Sequence, residues 1–103
     1  MARVVWTFEA LDDLEAAIDY IGQSSTAYAR MLAARAFELT DLLAMFPELG
    51  RMMPEFGNER IRELIMHSYR IVYHVEVREV RVVAFLHGAR DISQIAEDRG
   101  WTR

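Results

Sequence analysis

The sequence predicts an α+β fold in the order β-α-α-β-β-β, with an antiparallel helix hairpin packed on one face of an antiparallel sheet. Three observations carry this expectation. Apolar residues recur at helical spacing through the first half, and strand-like runs replace that period after residue 60. Both prolines and two of the five glycines fall between the halves, in PELGRMMPEFGNE (47–59), which predicts a loop. A chain of 103 residues suits one domain, placed at residues 1–91 with a C-terminal tail at 92–103.

The β-branched run RVVWT (3–7) predicts a short strand. Thr7 is placed to cap the helix that follows, with Glu9, Asp12 and Asp13 near its positive end. Leu11, Leu14, Ile18 and Ile21 lie at helical spacing, and Gly22 marks a stop. After the polar QSST (23–26), the residues Leu32, Ala36, Leu39, Leu43 and Phe46 form one stripe that Pro47 ends. Leu11, Leu14, Ile18, Leu32, Leu39 and Leu43 are the expected core of the hairpin. RIRELIMH (60–67), RIVYHVEV (70–77) and EVRVVAFLH (79–87) then predict three strands, whose short separations force antiparallel hairpins. Strict alternation in the last strand places Arg81, Val83, Phe85 and His87 on one face and Val80, Val82, Ala84 and Leu86 on the other. ISQIAEDRGWTR (92–103) predicts a polar tail with weak helical spacing at Ile92 and Ile95. On this reading nothing covers the second face of the sheet.

Composition removes several classes of function. With 52% apolar and 27% charged residues the chain is globular rather than disordered. It has no cysteine, and its three histidines show no repeated ligand spacing, so neither a disulfide framework nor a metal site is expected. No apolar run approaches the length of a membrane span, and MARVVWTFE lacks the apolar core of a signal peptide, so no membrane association and a cytoplasmic location are expected. Residues 1–50 hold three Arg against eight acids, whereas residues 60–90 hold six Arg against three. Every one of the 12 basic residues is Arg, which excludes any mechanism requiring Lys. The net charge of −4 argues against direct DNA binding by the chain alone.

Four stretches resemble the RelE/ParE superfamily of bacterial toxins, in order across residues 3–91: EALDDLEAAIDYI (9–21), LLAMFPELGR (42–51), IRELIMHSYRIVYHV (61–75) and VVAFLHGARD (82–91). The P-x-L-G-R stop, the R-E-L…S-Y-R-I-V-Y hairpin and the terminal L-H-G-x-R-D are similar to ParE in particular. The resemblance implies the toxin half of a type II toxin–antitoxin pair of the kind linked to plasmid stabilisation. It further implies a ParD-type ribbon-helix-helix antitoxin as partner, DNA gyrase as target and no cofactor. The RelE branch implies a different activity, ribosome-dependent mRNA cleavage. A degenerate, non-toxic binding module is a third reading.

The residues separate these readings by their chemistry. A ribonuclease needs a base for the ribose hydroxyl, cations for the phosphate and an acid for the leaving oxygen. The Lys/Arg cluster with a late Tyr that family ribonucleases use is missing, since the last tyrosine is Tyr73. Glu63, Arg81 and His87, with Arg70 or Arg90 as a further clamp, are the candidate substitutes, yet Arg81 and His87 stand about 20 Å apart along one strand. A non-catalytic reading is therefore preferred, in which His87, Arg90, Asp91 and Trp101 meet the target. Off the main stripe, Tyr20, Tyr28, Met31 and Phe37 are candidates for an antitoxin groove. Arg60, Arg62, Arg70 and Arg81 are candidates to receive acidic antitoxin side chains, or else, with Arg78, form a solvated face paired with Glu63, Glu76 and Glu79. His67 and His74 are expected at the surface, and Met52, Met53 and Phe56 are candidate exposed contacts in the loop.

Overall fold

A computed structural model describes residues 1–101. Its elements are β1 (Arg3–Trp6), α1 (Phe8–Gly22), α2 (Thr26–Asp41), β2 (Arg51–Met52), β3 (Ile61–Met66), β4 (Tyr69–Val75), β5 (Glu79–His87) and α3 (Ile92–Arg99). The expected β-α-α-β-β-β order holds, with β2 and α3 added. The five strands form one sheet in the order β1-β5-β4-β3-β2. It is mixed rather than wholly antiparallel: β1 lies parallel to β5, from Arg3 opposite Glu79 to Trp6 opposite Val82. The connection from β1 to β5 carries both hairpin helices and strands β2 to β4, so it is long enough to permit that pairing, which a tight hairpin never does.

The helices start as the sequence predicts. The Thr7 side chain accepts from the Ala10 N–H, and the Ser25 side chain accepts from the Tyr28 N–H. α2 closes through a 3-10 turn at Leu42–Ala44. The hairpin packs on one sheet face, where Leu14, Leu32 and Leu43 meet Met66, Ile71, Tyr73, Val80, Val82 and Phe85. Two expected stripe positions fall outside this core: Leu11 and Phe46 are exposed. β1 is tied to α2 by the Trp6 indole N–H, which donates to the Thr40 hydroxyl, itself bonded to the Ala36 carbonyl.

The second face of the sheet is covered, contrary to the sequence reading. Residues 92–99 are a helix rather than a polar tail, and Ile92 and Ile95 pack with Met53, Ile61, Val72, Val83, Ala84 and Leu86. The Asp91 side chain caps α3 by accepting from the Gln94 N–H, and Gly100 closes it with a φ of 71°. Met53 is fully buried here and Phe56 partly so; of the three loop candidates, Met52 is exposed.

A β-bulge explains why strict alternation fails in β5. Val72 pairs with Ala84 and Tyr73 with Val82, leaving Val83 without a partner on β4. The extra residue shifts the phase of the strand. Val80, Val82 and Phe85 therefore face the hairpin, while Val83, Ala84 and Leu86 face α3.

Candidate interaction surface

The turn between α1 and α2, the β3–β4 turn and the end of β5 meet at one end of the molecule. This end is aromatic. The Tyr69 ring stacks on Phe85 with centroids 4.8 Å apart and meets His87 edge-on at 5.7 Å, while Tyr28 meets His67 edge-on at 6.3 Å. Burial, together with neighbouring Tyr28 and Tyr20, pushes the Tyr69 hydroxyl above its ordinary value. His67 holds a φ of 54° in the tight β3–β4 turn, a left-handed conformation unusual outside glycine. A cleft of about 460 Å³ opens between α1 and the end of β5, lined by Asp13, Ala16, Ala17, Tyr20, Tyr69, Phe85, Leu86, His87 and Arg90. Tyr20 stands at its rim and is 73% exposed.

Residues that the sequence reading divided between two partners therefore converge: Tyr20 and Tyr28 from the antitoxin set, His87 and Arg90 from the target set. His87 is held by its own turn, with Nδ1 accepting from the Ala89 N–H and the His87 carbonyl accepting from the Arg90 N–H. Met31 lies one helical turn beyond Tyr28 and is half exposed. Phe37 does not join them. It sits about 14 Å further along α2 from Tyr28 and packs on Trp6, centroids 5.0 Å apart. Asp91 is occupied with capping α3. Trp101 folds back, edge-on to Phe56 and His74.

The arginines split in the same way. Arg70 is not available as part of an open patch, because its guanidinium binds Glu63 and Glu55 on the α3 face of the sheet. Arg51 closes the network with a 2.9 Å contact to Glu63. The hydrogen bonds that Arg70 donates to Glu63 outweigh the opposing pull of burial and, with those to Glu55, leave the guanidinium above its usual range. Burial pulls the Glu55 carboxyl upward, but a backbone hydrogen bond and Arg70 outweigh it and hold the group below its usual range. Arg62 donates to the Glu59 and Gly50 carbonyls, pinning the loop before β3. Arg81 contacts Glu79 at 3.3 Å. Arg60, at the far end of β3, is exposed and has no side-chain partner among the described residues.

The candidate catalytic set is not assembled. The Glu63 side chain has no solvent exposure and lies on the α3 face, locked between Arg51 and Arg70. His87 lines the cleft on the opposite, hairpin face. The bulge turns Arg81 away from His87, into a separate cleft with His74, Arg99 and Trp101. Of the four residues only His87 and Arg90 share a site. His74 is half-buried rather than at the surface, and its Nε2 has no hydrogen-bond partner among the described residues.

The sequence reading missed Tyr69, Ala16 and Ala17. Tyr69 was legible as the aromatic beside a two-residue turn. Nothing local marks two alanines in a helix as an opening.

Fold and surface together define a small α+β domain, a helix hairpin on one face of a five-stranded mixed sheet with an aromatic end. A family model described as the ParE toxin of the type II toxin–antitoxin system parDE matches residues 4–92. The toxin RelE2 of Caulobacter vibrioides is 43% identical over 91 residues, covering 87% of this chain and 99% of that protein. A solved structure described as the chromosomal ParDE toxin–antitoxin system from P. aeruginosa shares the fold with a TM-score of 0.69 at 20% identity, over 84% of this chain and 96% of that one. The chain belongs to the ParE toxin family of type II toxin–antitoxin systems.

Proposed function

We propose that this toxin acts by protein–protein contact on DNA gyrase and is neutralised by a ParD-type antitoxin. The observation that carries the reading is the dispersal of the catalytic candidates. Glu63 is sequestered in an ion-pair network on one sheet face, and His87 stands on the other. General acid–base catalysis requires both groups within hydrogen-bond reach of one substrate. An exposed aromatic end with an apolar cleft is instead suited to contact, where aromatic and Arg anchors contribute most of the binding energy.

The test is a pair of assays on purified toxin. Gyrase supercoiling should be inhibited, and mRNA on translating ribosomes should stay intact. His87→Ala should leave gyrase inhibition within a few-fold of wild type.

One observation supports a second reading, mRNA cleavage in the RelE manner: His87 and Arg90 share a cleft with two tyrosines, Tyr20 and Tyr69. The relative from Caulobacter also carries the RelE name. In this reading His87→Ala reduces toxicity by about 10²–10⁴-fold, the usual cost of losing a general acid or base, and ribosomal cleavage is seen without gyrase inhibition.

A further inference from the structure

The end of the molecule opposite the aromatic one carries an apolar patch that the fold does not bury. Leu43 points into the hairpin core, whereas Leu42, Met45 and Phe46 lie on another side of the same helical turns and are exposed. Leu42, Met45, Phe46 and Leu49 are spaced i, i+3, i+4 and i+7, and their exposures run from 47% to 61%. Val77, 93% exposed at the tip of the β4–β5 hairpin, lines one cleft with Met45 and Pro47. The backbone beneath the patch is fixed. The Phe46 and Leu49 N–H groups donate to the Leu42 and Phe46 carbonyls, the Ala2 N–H donates to the Ala44 carbonyl, and the Tyr73 hydroxyl donates to the Pro47 carbonyl. The rim carries both signs of charge. Asp41 and Glu48 adjoin the stripe, Arg78 adjoins Val77, and Arg35 pairs with Glu38 beside Leu42. Asp41, Glu48 and Arg78 are exposed and have no ion-pair partner among the described residues.

We propose that this patch is the contact through which two copies of the chain form a two-fold dimer. Five large apolar side chains at these exposures present on the order of 500 Å², near the upper end of what a monomer leaves open in one patch. With the charged rim, the area approaches the roughly 800 Å² per partner that a stable specific contact buries. The rim selects the occupant. A partner of one charge sign would leave half of these groups facing like charge, whereas a second copy related by a two-fold axis brings each sign to the other. In the dimer the Arg78 fork of each copy meets the acids of its partner, and the assembly closes at two. Because hydrogen bonds already fix the backbone beneath the patch, little freedom is lost on association. The contact also accounts for Phe46, which continues the apolar stripe of α2 yet stays outside the hairpin core. The aromatic end remains open in such a dimer, so the inference stands apart from the reading of that surface.

The experiment is sedimentation velocity on the full-length chain from about 1 µM to about 100 µM. Wild type should pass from monomer to dimer within this range. Phe46→Asp and Val77→Asp bury a carboxylate in the contact and should each raise the dimer Kd about tenfold or more. Phe8→Asp makes the same kind of change at an exposed residue in the first turn of α1 and should dimerise as wild type does. Circular dichroism checks that each variant folds. Because the chain has no cysteine, a spin label on Val77→Cys or Ser24→Cys is unique, and both positions are exposed. Double electron–electron resonance should give one distance for each labelled dimer, shorter at residue 77 than at residue 24 in the α1–α2 turn. A wild type that stays monomeric throughout overturns the proposal. So does undiminished dimerisation by both Asp variants, an equal loss in Phe8→Asp, or a shorter distance at residue 24. Growth beyond the dimer with rising concentration also overturns it, because that is the mark of a head-to-tail contact that does not close. A monomeric wild type whose folded Phe46→Asp form loses gyrase inhibition or antitoxin binding assigns the patch to that partner instead.

Discussion

His74 lies on β4 with its ring edge-on to Trp101, centroids 5.9 Å apart, and its Nε2 is buried without a hydrogen-bond partner among the described residues. Burial holds its pKa below the ordinary 6.5; Glu76 opposes that shift and Arg81 adds to it. The unfolded chain therefore binds a proton at His74 more readily than the folded one, so stability falls as pH falls through this window. The contribution of neutral His74 is complete above 6.5 and is lost as pH drops below that value and through the folded pKa. Urea unfolding followed by tryptophan fluorescence should show wild type losing stability between about pH 7 and about pH 5.5, and His74→Phe should lose less over the same range. Equal slopes for the two proteins would sink this assignment. Tyr73, its neighbour, has the opposite character: it is fully buried, but its hydroxyl accepts from the Gly50 N–H and donates to the Pro47 carbonyl. That pair of bonds fixes the P-x-L-G-R loop against the sheet. It also explains why Gly50 has no room for a side chain, since an added Cβ would stand 2.5 Å from the Glu63 carbonyl oxygen.

Among the elements, α3 shows what local pattern leaves out. Its Ile92 and Ile95 carry a weak helical spacing, but eight residues are too few to form a stable helix in isolation, so its stability comes from tertiary contact. The contact that holds it is an ion pair between Arg99 and Asp13, 86 residues apart in sequence, and no periodicity encodes such a pair. β5 extends past the end of β1, and the pair sits on that free edge. Asp13 accepts from the Phe85 N–H and Arg99 donates to the Val83 carbonyl, so two side chains satisfy backbone groups that a further strand would otherwise bond. Asp13 raises the Arg99 guanidinium pKa further above its usual range. Arg99→Ala should therefore destabilise the fold by about 1–3 kcal/mol. It should also speed amide exchange selectively in α3 and at Phe85, as read by NMR; uniform or unchanged exchange would contradict this. The bulge at Val83 is of the same kind. The sequence showed a nine-residue strand and its polar end, but a single unpaired residue that reverses the phase is set by register with β4. That reversal separates Arg81 from His87, so the element was legible and the geometry of its candidate site was not. Tyr20, Tyr28, His87 and Arg90 were legible one by one as large or polar groups off the core stripes. Their convergence depends on the α1–α2 turn lying beside the β3–β4 turn, which is a property of the packed layers.

The whole molecule is three layers rather than two: the hairpin, the sheet, and a thin cover made by α3, Phe56 and Trp101. A sheet of five strands in a domain of this size has two apolar faces to bury, and the second is served by few residues. Ile92, Ile95, Ala96 and the half-buried Trp101 stand over Met53, Ile61, Val72, Val83, Ala84 and Leu86. Removing residues 92–103 would leave that apolar face open and release Asp13 from its cation. Burial of an Ile side chain contributes about 1.5–3 kcal/mol, so losing Ile92 and Ile95 alone should cost on the order of 3–6 kcal/mol. That is a large share of the roughly 5–15 kcal/mol by which domains of this kind are stable. The shortened chain should self-associate, as seen by sedimentation velocity, because an exposed apolar sheet face beside an unprotected strand edge is an aggregation surface. The aromatic end and the α1–β5 cleft belong to the other face, so their geometry should survive in the shortened chain. A shortened chain that self-associates no more than wild type and is as stable would show that the third layer adds nothing to the fold.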